Sequence, residues 1–114
     1  MSSSLKVESR QVPGASVLEL HGDVSADGES DIKGAYDAAI ASGSNNVLIE
    51  MSNASYINTA GISVLIAVAM EARKAGHHLL VSGASPHYKK VFDLVRFSSF
   101  VSMFDTEADA LASL

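Results

Sequence analysis

The chain predicts an α/β layer fold in which an opening hairpin leads into strands joined by helices. Three features carry that expectation. Two short runs, "LKVESRQV" and "ASVLELHG", meet at Pro13-Gly14, a pair that supplies the φ angles of a tight turn. After them the apolar residues switch repeatedly between helical and strand-like spacing, which argues for parallel crossovers. The 114 residues are 47% apolar with 8 Gly and only 2 Pro, so they predict one domain over 1–114, long enough to bury a core.

The elements follow in order. In the second run of the hairpin Val17 and Glu19 share one face, while Leu18 and Leu20 fill the other. "DIKGAYDAAIASG" changes period: Ile32, Ala35, Tyr36, Ala39 and Ile40 fall at helical spacing, and Gly43 can close that helix at C′. "NNVLIEM" predicts a buried strand ending in Glu50. "TAGISVLIAVAMEARKAG" predicts a helix with Ile62, Leu65, Ile66 and Ala69 on its apolar stripe and Gly76 as its stop. "HLLVSG" is the next strand. In "SPHYKKVFDLVRF" Ser85 suits an N-cap and Pro86 the N1 position. "FVSMF" can form a last short strand. "TEADALASL" opens with Thr106 and has Asp109 three positions on, the spacing of a capping box. The predicted order is β, β, α, β, α, β, α, β, α, with right-handed crossovers dictated by strand twist.

Composition removes several classes of function. There is no cysteine, hence no disulfide, thiolate metal site or cysteine nucleophile. A net charge of −5 leaves no electrostatic footprint for nucleic acid and no attraction to anionic lipid. "MSSSLKVESRQV" has no apolar signal-peptide core, and "ISVLIAVAM" is far short of the roughly 20 residues that span a bilayer. A cytoplasmic protein without membrane insertion is expected. No phosphate-binding glycine motif and no nucleophile elbow is present. His21, His77, His78 and His87 form no i, i+4 pair, and adjacent His77 and His78 should point to opposite faces of a strand. The sequence therefore predicts no metal, no cofactor and no catalytic residues.

The stretch "YINTAGI", residues 56–62, raises the functional question. It places Asn58, Thr59, Ala60 and Gly61 where a strand hands over to a helix. Thr59 would lie at or beside the N-cap, with its oxygen able to accept from free N–H groups of the first turn. Ala60 and Gly61 add no bulk, so another molecule could approach the backbone. The plainer alternative is a capped helix whose small residues merely fit a turn.

The longer stretch "EMSNASYINTAGISVLIAVAMEARKAG" resembles the signature of STAS domains, as in anti-sigma factor antagonists. Glu50, Met51 and Ser52 match its start, Tyr56 and Ile57 its aromatic or apolar pair, and Asn58 to Gly61 its loop. "LELHGDVSADGESDI" and "LLVSGASPHYKKVFDLVRFSSFVSMFDTEADAL" resemble the family's second-strand segment and its C-terminal elements, so the likeness covers nearly the whole chain. The resemblance implies a mixed β-sheet of about four to five strands with helices packed mainly on one face. It implies a non-catalytic switch whose loop hydroxyl is phosphorylated by a kinase that is also an anti-sigma factor. By position the acceptor is Thr59, where the family usually has Ser, and Asn58 stands where it usually has Asp.

Implied partners are an anti-sigma factor or serine/threonine kinase and an opposing phosphatase, met by a monomer or weak dimer. The partner surface implied is the loop Asn58, Thr59, Ala60 and Gly61. Helical spacing separately puts Ser63, Ala67, Met70 and Lys74 on one outer face, whose small and flexible side chains suit a surface that another protein covers. A partly buried Met70 would be the plainer outcome there. Two other functions remain open. One is a scaffold or regulatory subunit, in a stressosome-type assembly or a lipid-transport ABC complex. The other is a small-ligand or nucleotide-binding domain with anion affinity at the helix N-terminus.

Overall fold

The computed structural model describes residues 4–114, so residues 1–3 of the expected domain and of the N-terminal stretch lie outside the described residues. The elements are β1 (Lys6–Val12), β2 (Ala15–Val24), α1 (Glu29–Ala41), β3 (Asn46–Glu50), β4 (Ala54–Ile57), α2 (Thr59–Lys74), β5 (His78–Ser82), α3 (Pro86–Leu94), β6 (Ser102–Phe104) and α4 (Glu107–Ala112). Short 3-10 turns, Ala26–Gly28 and Phe97–Ser99, precede α1 and β6.

The Pro13-Gly14 hairpin forms as expected. Val12 pairs with Ala15 across it, and Gly14 takes φ +86°, the left-handed value that a type II turn needs. The sheet runs β1-β2-β3-β5-β6, antiparallel at β1-β2 and parallel thereafter. Among the described residues it has six strands where four to five were expected, and the additional one is β4. Its origin is geometric. β2 is ten residues long, whereas β3 pairs only with Ser16 to Glu19. The chain leaves the sheet after Glu50 and rejoins the exposed far end of β2 as β4, pairing Tyr56 with Asp23 and Ile57 with Val24.

Strand alternation divides the core. Leu18, Leu20, Val47, Ile49, Leu79 and Val81 face α1, α2 and α3, joined by Ile32, Tyr36, Leu65, Val68 and Phe92. Val17, Leu48 and Leu80 face the other way and are covered by Ala110 and Leu111 of α4. Among the described residues, three helices therefore share one face and α4 takes the second. Phe92 and Phe97 meet edge to face at 4.9 Å and are fully buried, seating α3 on the sheet.

Helix ends follow local chemistry. Ser85 Oγ accepts from the Tyr88 N–H with Pro86 at the start of α3, and Thr106 Oγ1 accepts from the Asp109 N–H. Gly43 and Gly76, beyond α1 and α2, have φ of +97° and +76°. The buried stripe of α2 is rotated from the expected one. It centres on Gly61, Val64, Leu65, Val68, Ala69 and Ala72, leaving Ile62 and Ile66 half-buried.

Candidate functional site

The junction of β4 with α2 is built around Asn58. Its backbone is extended, at φ −86° and ψ 178°, and its N–H donates to the Val24 carbonyl at 3.1 Å. Its side-chain Oδ1 accepts from the Gly61 N–H at 2.8 Å, and its carbonyl accepts from the Ile62 N–H at 2.9 Å. Asn58 is thus the N-cap. This refines the sequence expectation, which put Thr59 at or beside that position. Asparagine ranks with the best N-caps because its short side chain reaches the first-turn amides without closing into the helix itself.

Thr59 is the first residue of the helix and is exposed. Because Asn58 supplies the cap, the Thr59 hydroxyl is left without a hydrogen bond among the described residues. The N–H groups of Thr59 and Ala60 point out of the helix end with no intrahelical acceptor. At the head of a 16-residue helix these amides and the macrodipole favour an anion.

The implied partner residues separate by exposure. Thr59, Ala60, Ser63, Ala67 and Met70 lie on the outer side of α2, Met70 with 39% of its surface exposed, and Asn58 is half-buried. Gly61 lies on the inner side. A Cβ there would stand 2.1 Å from the Val24 carbonyl oxygen, so this glycine serves the close approach of α2 to β2. The idea that Gly61 keeps backbone open to another molecule is corrected on that ground, and Ala60 alone retains it. Ser63 Oγ folds back onto the Thr59 carbonyl at 3.2 Å.

Three supports of the junction were missed in the sequence. The Tyr88 hydroxyl accepts from the Ile57 N–H at 2.9 Å, so α3 holds the outer edge of β4. Val24 receives both the Asn58 N–H and the glycine contact. Glu50, only 9% exposed, accepts from the Ser52 N–H at 2.7 Å and from the Ser82 hydroxyl, which fixes the bend from β3 into β4. A glycine inside an apolar helix was the one readable signal, since such a residue usually marks close packing. Tyr88 had none, because its partner lies 31 residues away. The cavity beside the junction, lined by Ser52, Ser55, Gly83, Ser85 and Tyr88 among others, is about 110 Å³. Ligand pockets typically occupy about 300–1,000 Å³, so this one does not favour a nucleotide.

A family model of the STAS domain matches residues 6–110. The chain belongs to the STAS domain family. It is 25% identical over 100 residues to BtrV of Bordetella bronchiseptica, a protein assigned as an anti-sigma factor antagonist, covering 88% of this chain and 84% of that one. The crystal structure of an anti-sigma factor antagonist from Mycobacterium paratuberculosis is similar at a TM-score of 0.82 and 19% identity, over 99% of this chain and 97% of that one. The phosphorylated form of the Bacillus cell fate determinant SpoIIAA is similar at a TM-score of 0.71 and 19% identity, over 96% and 97%. This STAS domain thus has the fold of anti-sigma factor antagonists. Among the described residues no helix is long and apolar enough to cross a membrane.

Proposed function

We propose that this STAS domain is a non-catalytic, phospho-regulated binding switch, and that Thr59 is its regulated hydroxyl. The observation that carries this reading is the division of labour between neighbours. Asn58 caps α2 and Thr59 is exposed with its hydroxyl uncommitted. A kinase could therefore modify the hydroxyl without dismantling the helix start. Unphosphorylated protein binds an anti-sigma factor that is also a serine/threonine kinase, and a phosphatase restores the binding form. The protein acts in the cytoplasm as a monomer or weak dimer. The likeness to a relative solved in a phosphorylated form and to named antagonists supports the class of partner.

The physics of such a switch is asymmetric. A phosphate brings about −1.5 to −2 charges. At the head of α2 it meets amides and the positive end of the helix dipole, so the fold tolerates it. A neutral Asn58 beside it adds no repulsion. A partner covering Thr59, Ala60, Ser63, Ala67 and Met70 would instead have to desolvate or pair the dianion.

The test is phosphorylation of the full chain by its kinase partner with ATP, followed by peptide mapping and a pull-down with and without ATP. Phosphate on Thr59, and binding lost only when ATP is present, are the expected results. Phosphate confined to Ser52, Ser55 or Ser63 would remove Thr59 from the role. Binding indifferent to ATP would point to a constitutive scaffold, in a stressosome-type or lipid-transport assembly.

A further inference from the structure

We propose that the β1–β2 hairpin carries a surface site for a divalent transition metal of the zinc type, with His21 Nε2, Glu19 Oε1 and a carboxylate oxygen of Glu8 as ligands. Sequence spacing hides this set, because it is assembled across strands rather than along one. In the hairpin register Glu8 lies directly opposite Glu19, and His21 follows two residues along the same strand on the same face. One donor atom from each of the three residues lies within 4.8 Å of the others. His21 Nε2 is 3.2 Å from Glu19 Oε1 and 4.0 Å from Glu8 Oε1. Ligands on a tetrahedron with bonds of about 2.1 Å stand roughly 3.4 Å apart, so small side-chain rotations bring all three to a zinc ion.

Two further relationships favour a cation here. Like charges directly opposite each other destabilise an antiparallel pair, and Glu8 faces Glu19 in that way. Arg10 on Glu19 and Lys6 on Glu8 offset part of that repulsion, and a bound dication would remove the rest. Arg10 also donates to Glu19 Oε2 from Nε at 2.9 Å and from Nη2 at 2.6 Å, while Oε1 is turned toward His21. That is how an outer partner orients a ligating carboxylate. One imidazole with two carboxylates suits a borderline ion above Mg²⁺ or Ca²⁺, which prefer all-oxygen shells. Lys6, 3.3 Å from Glu8, competes for that carboxylate and weakens the site. The site lies on the face opposite α1 to α3, since Val17, Glu19 and His21 alternate with Leu18 and Leu20. It is therefore independent of the Thr59 switch.

The test is calorimetric titration of the EDTA-stripped, dialysed full chain with Zn²⁺, and in parallel with Mg²⁺ and Ca²⁺. One zinc per chain with micromolar affinity is expected, with the other two ions at least about tenfold weaker. His21→Ala and Glu8→Gln should each weaken zinc by at least about tenfold, the size of effect that even outer-shell changes produce. Both positions are at least partly exposed, so both variants should fold, with far-UV circular dichroism as the check. His78→Ala and His87→Ala should leave the titration unchanged. Absence of zinc binding below millimolar concentration, or full affinity in His21→Ala, overturns the site.

Discussion

Asn58 Oδ1 and the Gly61 N–H, 2.8 Å apart, close the first turn of α2 and leave the hydroxyl of its first residue, Thr59, uncommitted. The two neighbours should therefore respond differently to truncation. Asn58→Ala removes the cap and should cost about 0.5–2 kcal/mol. Thr59→Ala removes no hydrogen bond made to a described residue and should cost less than about 0.5 kcal/mol, as at an ordinary surface position. Urea denaturation of both variants decides the matter. A Thr59→Ala loss equal to that of Asn58→Ala would mean the hydroxyl has a structural duty after all.

Gly61→Ala tests the approach of α2 to β2. The added methyl would sit 2.1 Å from the Val24 carbonyl oxygen, which is backbone and cannot rotate away. The helix start must lift, and overpacking of this kind costs about 1–3 kcal/mol. The gain in helix propensity, about 1 kcal/mol at most, does not offset it. A Gly61→Ala variant as stable as the parent would show that the junction has slack.

Arg10 joins β1, β2 and α4. It donates to Glu19 Oε2 and, from Nη1 and Nη2, to both carboxylate oxygens of Glu107. Hydrogen bonding from Arg10 holds the Glu19 carboxyl below its ordinary value of 4.5. A depressed folded value contributes stability above the unfolded pKa and loses it as pH falls through the folded one. In EDTA, stability should therefore decline below about pH 4.5, the ordinary Glu19 value. Arg10→Ala should be less stable than the parent at pH 7 and should show a shallower acid decline. Parallel acid limbs in melts of the two proteins would contradict this coupling.

Local chemistry explains which parts of this fold were legible. Ser85 with Pro86, and Thr106 with Asp109, lie next to the backbone groups they bind, so a short window of sequence contains the whole interaction. The same holds for Pro13-Gly14. A strand ending at Ile57 was legible, but its separation from β3 as β4 was not, because its four residues lack alternation and pair with Gly22 to Val24, far away in the chain. The cap went to Asn58 because the choice between adjacent polar residues depends on where β4 ends, and the Val24 carbonyl sets that point. Glu8, Glu19 and His21 come together only through hairpin register, which spacing along one strand does not reveal.

The last prediction separates stability from binding at Thr59. Thr59→Glu puts a carboxylate at the head of α2, where the dipole and free amides stabilise it by about 0.3–1 kcal/mol at an exposed position. The variant should melt at or slightly above the parent temperature. In the proposed interface the same carboxylate would have to be covered by a surface that otherwise meets an uncharged hydroxyl. An uncompensated buried charge costs about 3–5 kcal/mol. Each 1.4 kcal/mol is tenfold, so affinity should fall by about a hundredfold or more. Thr59→Ala leaves the surface neutral and should bind as the parent does, while accepting no phosphate. Calorimetric titration against the proposed anti-sigma partner, with thermal melts of the same preparations, reads both quantities. A Thr59→Glu protein that binds as tightly as the parent would place the interface elsewhere. One that fails both to bind and to fold would make Thr59 a structural residue, against its exposed position at the first turn of α2.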